Sequence, residues 1–359
     1  MTSQKPHNKS AAISLICIFT SILYLAFVVF QNRDIIFEKF NAQEYKTKYE
    51  HSQWRVPNSK TPISDQDLYA YAGYEYFHGE NPTLINPEVP PFGKYIIGIF
   101  AELGTVKVAS LLAALGSLIL LYFVTLKLSN SKSAAAFAVL LTSTHTLFTD
   151  QLIHAPQLEV FQLFFLLLMI LFLFIYFELS KKLWLIFAGV VFGLFISIKI
   201  FILSFILINA WLVLYYILNK NNKKLAVLDL LTLNLIGFFT FTLTYFNYFL
   251  DGYSIRGFLG VQKWIYLFYS MSHIDTSKLI GNYLFLIFAN HWRFWSEGYP
   301  IVAYERWTLL WPIIFVAGFL SIFHLFKMQI KNQQKTVLIL SFFIVYNVFL
   351  FMVPIFPRY

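Results

Sequence analysis

The residues best placed to do chemistry lie in "SDQDLYAYAGYEYFHGENPTLINPEVPPFGKY", Ser64–Tyr95, which holds five carboxylates, a Pro-Pro pair and a row of tyrosines. Asp65 and Asp67 open it. An aspartate beside apolar surface can act as a general base. Two early acids behind Ser64 equally suit a plain helix start, with the serine as N-cap and the acids favoured by the helix dipole. If "DQDLYAYAGYEYF" is helical, Asp65, Tyr69, Ala72 and Tyr76 share a face. Further on, "INPEVPPFGKY" pairs Glu88 with two stiffening prolines and Lys94. That lysine either snorkels to headgroups or holds a phosphate as a compact point charge.

Asp150, His154, Glu159 and Lys199 lie inside or at the rims of apolar runs. Ionisable groups there are costly and usually face a bundle interior or a cavity. Asp150 and His154 fall at a turn, where water is close. Glu159 begins a span in "APQLEVFQLFF" and Lys199 sits in "FISIKIFIL". His273 in "SMSHIDT" and Arg293 in "HWRFW" fit headgroup contacts. The chain shows no HExxH, clustered cysteines, P-loop or GxSxG. These residues make no cofactor certain, and a divalent metal is possible but not indicated.

The elements that must carry these residues are membrane helices. Of 359 residues, 58% are hydrophobic and 13% charged, and mean hydropathy is +0.64; soluble domains carry about 25% charged residues. Apolar runs of the length that spans a bilayer fall at about 11–30, 105–126, 134–153, 157–177, 183–198, 200–218, 225–249, 307–326 and 336–353. The fold class expected is an all-α membrane protein, a polytopic bundle of about nine spans forming one domain over 1–359. The single cysteine, Cys17, lies in the first run and rules out a disulfide. Residues 1–30 read as an anchor rather than a cleaved signal, because no small-residue cleavage site follows.

Charge distribution orients the bundle and argues against nucleic acid as a partner of this +9 chain. Connectors 1–10, 127–133, 178–182, 219–224 and 327–335 hold twelve lysines, with Glu178 as their only acid. Short lysine-rich loops mark the cytoplasmic side. That places the N-terminus inside, and outside it places loop 31–104 and segment 250–306. Both are too aromatic for disorder, and both read as helices and turns on the outer membrane surface. "PPFGKYIIGIFAELG" reads as an interfacial helix that starts at its prolines.

The ordered motifs resemble the polyprenyl-phosphate-dependent glycosyltransferases of the C-type membrane fold, family 39, which include protein O-mannosyltransferases and lipid A aminoarabinose transferases. "SDQDLYAYAGYEYFHG" and "NPEVPPFGKY" are similar to the family's first-loop motif, with Asp65 at its catalytic aspartate and Gln66 at its second acid. "APQLEVFQLFF" carries Glu159 where the family has aspartate, "FGLFISIKIF" carries Lys199, and "PIFPRY" carries Arg358. "VQKWIYLFYSMSH" is similar to a re-entrant loop that ends in histidine, here His273. In the family further spans follow the Pro-Arg-Tyr element, whereas this sequence stops at Tyr359.

The resemblance implies an inverting transfer of a sugar from a polyprenyl-phosphate donor to an acceptor hydroxyl of a protein, lipid or glycan. The reaction would take place at the extracytoplasmic face of the plasma membrane, among membrane lipids. It implies Asp65, Asp67, Glu88 and Glu159 as the catalytic candidates, with Asp65 as general base. Lys94, Lys199 and Arg358 would serve the donor phosphate, and Tyr69 and His273 the sugar or acceptor. Two alternatives stand beside it. One is a catalytically degenerate or truncated relative, suggested by Gln66, Glu159 and the C-terminus. The other is a transporter or flippase for a lipid-linked sugar, which would not account for the motif-bearing outer loop and for which no internal repeat is present.

Overall fold

The computed structural model describes residues 6–153, 157–219, 223–270, 274–327 and 333–355. It is helical almost throughout, as the apolar runs demand, because a helix satisfies its backbone N–H and C=O groups within one segment. Helix α1 (Pro6–Gln31) leads into an excursion of short helices: α2 (Arg33–Ile36), α3 (Ala42–Glu50), α4 (Asp65–Phe77) and α5 (Phe92–Glu102). Apolar helices follow as α6 (Lys107–Ser129), α7 (Lys132–Thr144), α8 (Thr146–Ile153), α9 (Leu158–Leu179), α10 (Lys182–Ile196), α11 (Phe201–Leu218) and α12 (Lys223–Leu243). A second excursion contains α13 (Phe246–Leu250), α14 (Ile255–Ser270), α15 (Asn282–Ala289) and an antiparallel ribbon of β1 (Trp292–Arg293) with β2 (Ile301–Val302). Helices α16 (Leu310–Lys327) and α17 (Gln333–Met352) complete the described chain.

Among the described residues six helices are long and apolar enough to cross a bilayer: Ser10–Gln31, Lys107–Ser129, Leu158–Leu179, Phe201–Leu218, Lys223–Leu243 and Gln334–Met352. The protein is an all-α polytopic membrane protein. Three expected crossings are shorter or interrupted. The run 134–153 breaks at His145, whose ψ of 131° leaves the helical region. Helix α10 has 15 residues, about 22 Å at 1.5 Å per residue, against a hydrocarbon core of about 30 Å. Helix α16 has 18 residues, about 27 Å at the same rise. The stretch "NHWRFW" also differs from the expected helices and turns. Gly298 and Tyr299 take φ of 77° and 50° and fold the chain back, so that Phe294 N–H reaches Pro300 O at 2.9 Å.

The two ends of the bundle differ in chemistry. At one, Ser10 and Ser133 hydroxyls lie 3.3 Å apart, Glu178 takes Lys127 at 2.6 Å and also binds Lys335, and Lys182 reaches Asp229 at 2.5 Å. The lysine-rich connectors thus gather together. At the other end the two excursions meet: Asn247 Nδ2 donates to Tyr76 O at 2.8 Å, and Asn81 Nδ2 to Asp251 Oδ2 at 2.9 Å. Within the first excursion α4 and α5 cross backbone on backbone. A Cβ on Gly73 would lie 2.2 Å from Lys94 O, and one on Gly98 would lie 2.0 Å from Gly73 O.

Candidate active site

Helix α4 starts where the sequence places it. Ser64 Oγ accepts the Asp67 N–H at 3.2 Å as an N-cap, which leaves Asp65 exposed on the first turn. Asp67 instead turns to α3, where its carboxylate lies 3.6 Å from Lys48 Nζ. Tyr69 is buried in the apolar cluster that also holds Ala70, Val89, Ile97, Leu158 and Ile198.

The Pro-Pro turn is built around Lys94. Its ammonium is fully buried and donates to Asn86 O and Val89 O at 2.7 Å each, to Asn86 Oδ1 at 3.1 Å and to Tyr76 OH at 3.2 Å. Tyr76 in turn donates to Pro82 O at 3.0 Å and to Ile85 O. Burial holds the Lys94 ammonium below the usual lysine range, and Glu88 opposes that shift. Glu88 is itself buried, and its Oε1 accepts a hydrogen bond from Asn86 Nδ2. Burial raises its carboxyl above the ordinary range; Lys94 lowers it, and the Asp65 charge raises it further.

This turn docks on the helix ends that carry the other motifs. Phe92 N–H donates to Ser197 O at 3.0 Å. Gly93 faces Leu158 Cδ2 and Ile198 Cγ2 so closely that a Cβ there would meet them at 2.7 and 3.1 Å. Leu158 opens α9 beside Glu159, and Ile198 precedes Lys199 in the turn between α10 and α11. Lys199 Nζ lies 2.6 Å from Glu159 Oε1, with both side chains about nine-tenths buried. The Lys199 carbonyl accepts from Gln162 Nε2 and Ser204 Oγ at 3.1 Å each. The Glu88–Lys94 turn therefore packs against the residues next to Glu159 and Lys199, and Asp65 is near enough for its charge to act on Glu88.

Other flagged residues lie elsewhere. Asp150 accepts from Tyr304 OH at 2.9 Å and Arg306 Nη1 at 2.5 Å, and Arg293 extends its ribbon toward Lys278 O at 3.4 Å. His154, His273 and Arg358 lie outside the described residues. No group of three His, Cys, Asp or Glu suited to a metal occurs among the described residues.

Sequence reasoning missed Asn86, which links Lys94 to Glu88, and Asp229 at the lysine-rich end. Asp229 binds Tyr176 at 2.8 Å, Lys182 at 2.5 Å and Tyr216 at 3.1 Å. An acid inside an apolar run was the available signal for Asp229. For Asn86 the signal was an asparagine before proline in a tight turn, where it tolerates left-handed backbone.

Fold and site together define a multi-pass membrane protein with a buried Glu88–Asn86–Lys94 turn and a buried Glu159–Lys199 pair. Residues 88–243 match the model of the dolichyl-phosphate-mannose-protein mannosyltransferase family. The match spans Glu88, Lys94, Glu159 and Lys199, starts downstream of Asp65, and supports a membrane glycosyltransferase similar to that mannosyl-type family. No curated protein and no solved structure matches the chain.

Proposed function

We propose that the protein transfers a sugar from a polyprenyl-phosphate donor to an acceptor hydroxyl of a protein, lipid or glycan. The reaction takes place at the end of the bundle away from the lysine-rich connectors, which is the extracytoplasmic end by the positive-inside rule. The donor's tail stays in hydrocarbon while its phosphate meets the polar end of α9 and the turn after α10. The acceptor oxygen attacks the sugar's anomeric carbon, the bond from that carbon to the phosphate oxygen breaks, and polyprenyl phosphate leaves. One displacement inverts the anomeric centre. Asp65 takes the acceptor's proton as general base.

Lys199, steadied by Glu159, stabilises the charge on the departing phosphate; Arg358 serves the same phosphate, and Lys94 adds to the field through the turn it holds. Tyr69 and His273 serve the sugar or acceptor. The observation that carries this reading is the packing of the Glu88–Lys94 turn, through Gly93, on Leu158 and Ile198, the sequence neighbours of the paired Glu159 and Lys199. Purified protein supplied with a defined polyprenyl-phosphate sugar should release polyprenyl phosphate and glycosylate or hydrolyse. Movement of intact donor across a vesicle without bond cleavage would select a flippase instead.

A further inference from the structure

Glu88 is 5% exposed, and its two oxygens have different fates. Oε1 accepts the Asn86 amide, whereas Oε2 is buried with no hydrogen-bond partner among the described residues. An ionised carboxylate with one oxygen left dry is costly. Lys94 does not relieve it by contact, because the lysine's protons go to Asn86, Val89 and Tyr76. Asn86 stands between the two charges. Its backbone is held at φ 50°, and its side chain accepts from Lys94 at 3.1 Å while donating to Glu88. This clasp fixes the orientation of the Glu88 carboxyl.

We propose that Glu88 works as an uncharged acid whose Oε2–H hydrogen-bonds a phosphate oxygen of the lipid-linked donor, and that Asn86 is the residue that positions it. The proposal rests on the glycosyl-transfer reading. A protonated Oε2 turns an orphan acceptor into a donor for which an anionic oxygen is the natural partner. An ionised Glu88 would repel the same phosphate. Burial and the Asp65 charge favour the neutral form, against the pull of Lys94. The groups facing Glu88 from neighbouring elements are Lys94 on α5, Asp65 and Tyr76 on α4, Tyr49 on α3 and the Asn86 amide in its own turn.

The test compares Glu88→Gln, Glu88→Ala and Asn86→Asp in the full-length purified protein, reading kcat and KM against pH with a polyprenyl-phosphate sugar. Glutamine keeps a donor but cannot titrate, so Glu88→Gln should stay within about tenfold of the parent while Glu88→Ala loses about 10²–10³-fold, the scale of one transition-state donor. The parent's rate should fall as rising pH ionises Glu88, and that alkaline limb should vanish in Glu88→Gln. Asn86→Asp keeps the left-handed turn but adds a negative charge, so it should move the limb to higher pH and change kcat more than KM. A merely structural asparagine would leave the limb in place.

Infrared difference spectra between the parent and Glu88→Gln at neutral pH should show the carbonyl stretch of a protonated carboxyl. Absence of that band, or a Glu88→Gln loss as large as that of Glu88→Ala, would overturn the proposal. An inactive Asp65→Asn beside either result leaves the transfer reading standing. A fully active Asp65→Asn sinks the base assignment whatever Glu88 does.

Discussion

Lys199 and Glu159 form an ion pair at 2.6 Å across forty residues of sequence, at the helix ends nearest the Pro-Pro turn. Breaking a buried pair from one side costs about 3–5 kcal/mol, because the remaining charge loses its counter-ion. Lys199→Met should therefore lower the melting temperature and weaken binding of polyprenyl phosphate. Adding Glu159→Gln should recover much of the stability, since the two substitutions are coupled. It should not recover binding. Recovery of both would show that Lys199 serves the fold alone.

The crossing of α4 and α5 offers a cleaner stability test. Gly73→Ala and Gly98→Ala each push a methyl group against backbone, at 2.2 and 2.0 Å in the present geometry. Overpacking of this kind costs about 1–3 kcal/mol or more, and here it would also shift the turn that holds Glu88. Both variants should melt earlier and lose activity together. Gly260→Ala is the control: it lies in α14 with nothing within 4 Å of the added carbon. It should match the parent or gain slightly from helix propensity. Equal melting of all three would mean that the helices do not cross this closely.

Orientation can be tested without activity. The lysine-rich connectors gather at one end, tied by the Ser10–Ser133, Lys127–Glu178 and Lys335–Glu178 contacts. A reporter inserted at Ser131 should read cytoplasmic and one at Asn58 extracytoplasmic. Both on the same side would sink the layout. Reversal of both would move the proposed site to the cytoplasmic face.

The elements that carry the motifs were legible because their signals are local. Ser64 as cap, early acids and the apolar spacing marked α4, and the prolines marked the start of α5. The break at His145 carried no proline or glycine. Its signal was subtler: Ser143 and Thr144 hydroxyls bond back to the Leu140 carbonyl at 3.1 and 2.8 Å, competing with the helix ladder, and His145 Nδ1 accepts the Leu147 N–H at 3.2 Å. Lys94 was harder. A lysine three positions after a Pro-Pro pair reads alike whether it snorkels, binds a ligand or caps carbonyls from within. Only the left-handed backbone at Asn86 decides that its carbonyl oxygen points at the ammonium. The Glu159–Lys199 pair is a tertiary contact between two helix ends, which no periodicity reports.

The sharpest prediction concerns Asp65 and Asp67. Both open α4, and two helical positions lie about 200° apart around the axis, so the two carboxylates serve different surroundings. Asp67 faces α3 and Lys48 at 3.6 Å, a half-exposed pair of the kind that contributes little to stability. Asp65 is exposed on the first turn and close enough to Glu88 for its charge to raise that carboxyl, which brings it to the edge of the polar cluster. A general base needs access to solvent-borne acceptor and proximity to the donor, and in the proposed reaction Asp65 would combine the two. Asp65→Asn retains shape and hydrogen-bonding reach but removes the proton acceptor. It should cost about 10²–10⁴-fold in kcat with donor binding and melting temperature unchanged. Asp67→Asn should cost less than a tenth of that loss and register mainly in the packing of α3. If Asp67→Asn abolishes turnover while Asp65→Asn keeps it, the base is Asp67 and the helix presents its other face to the acceptor.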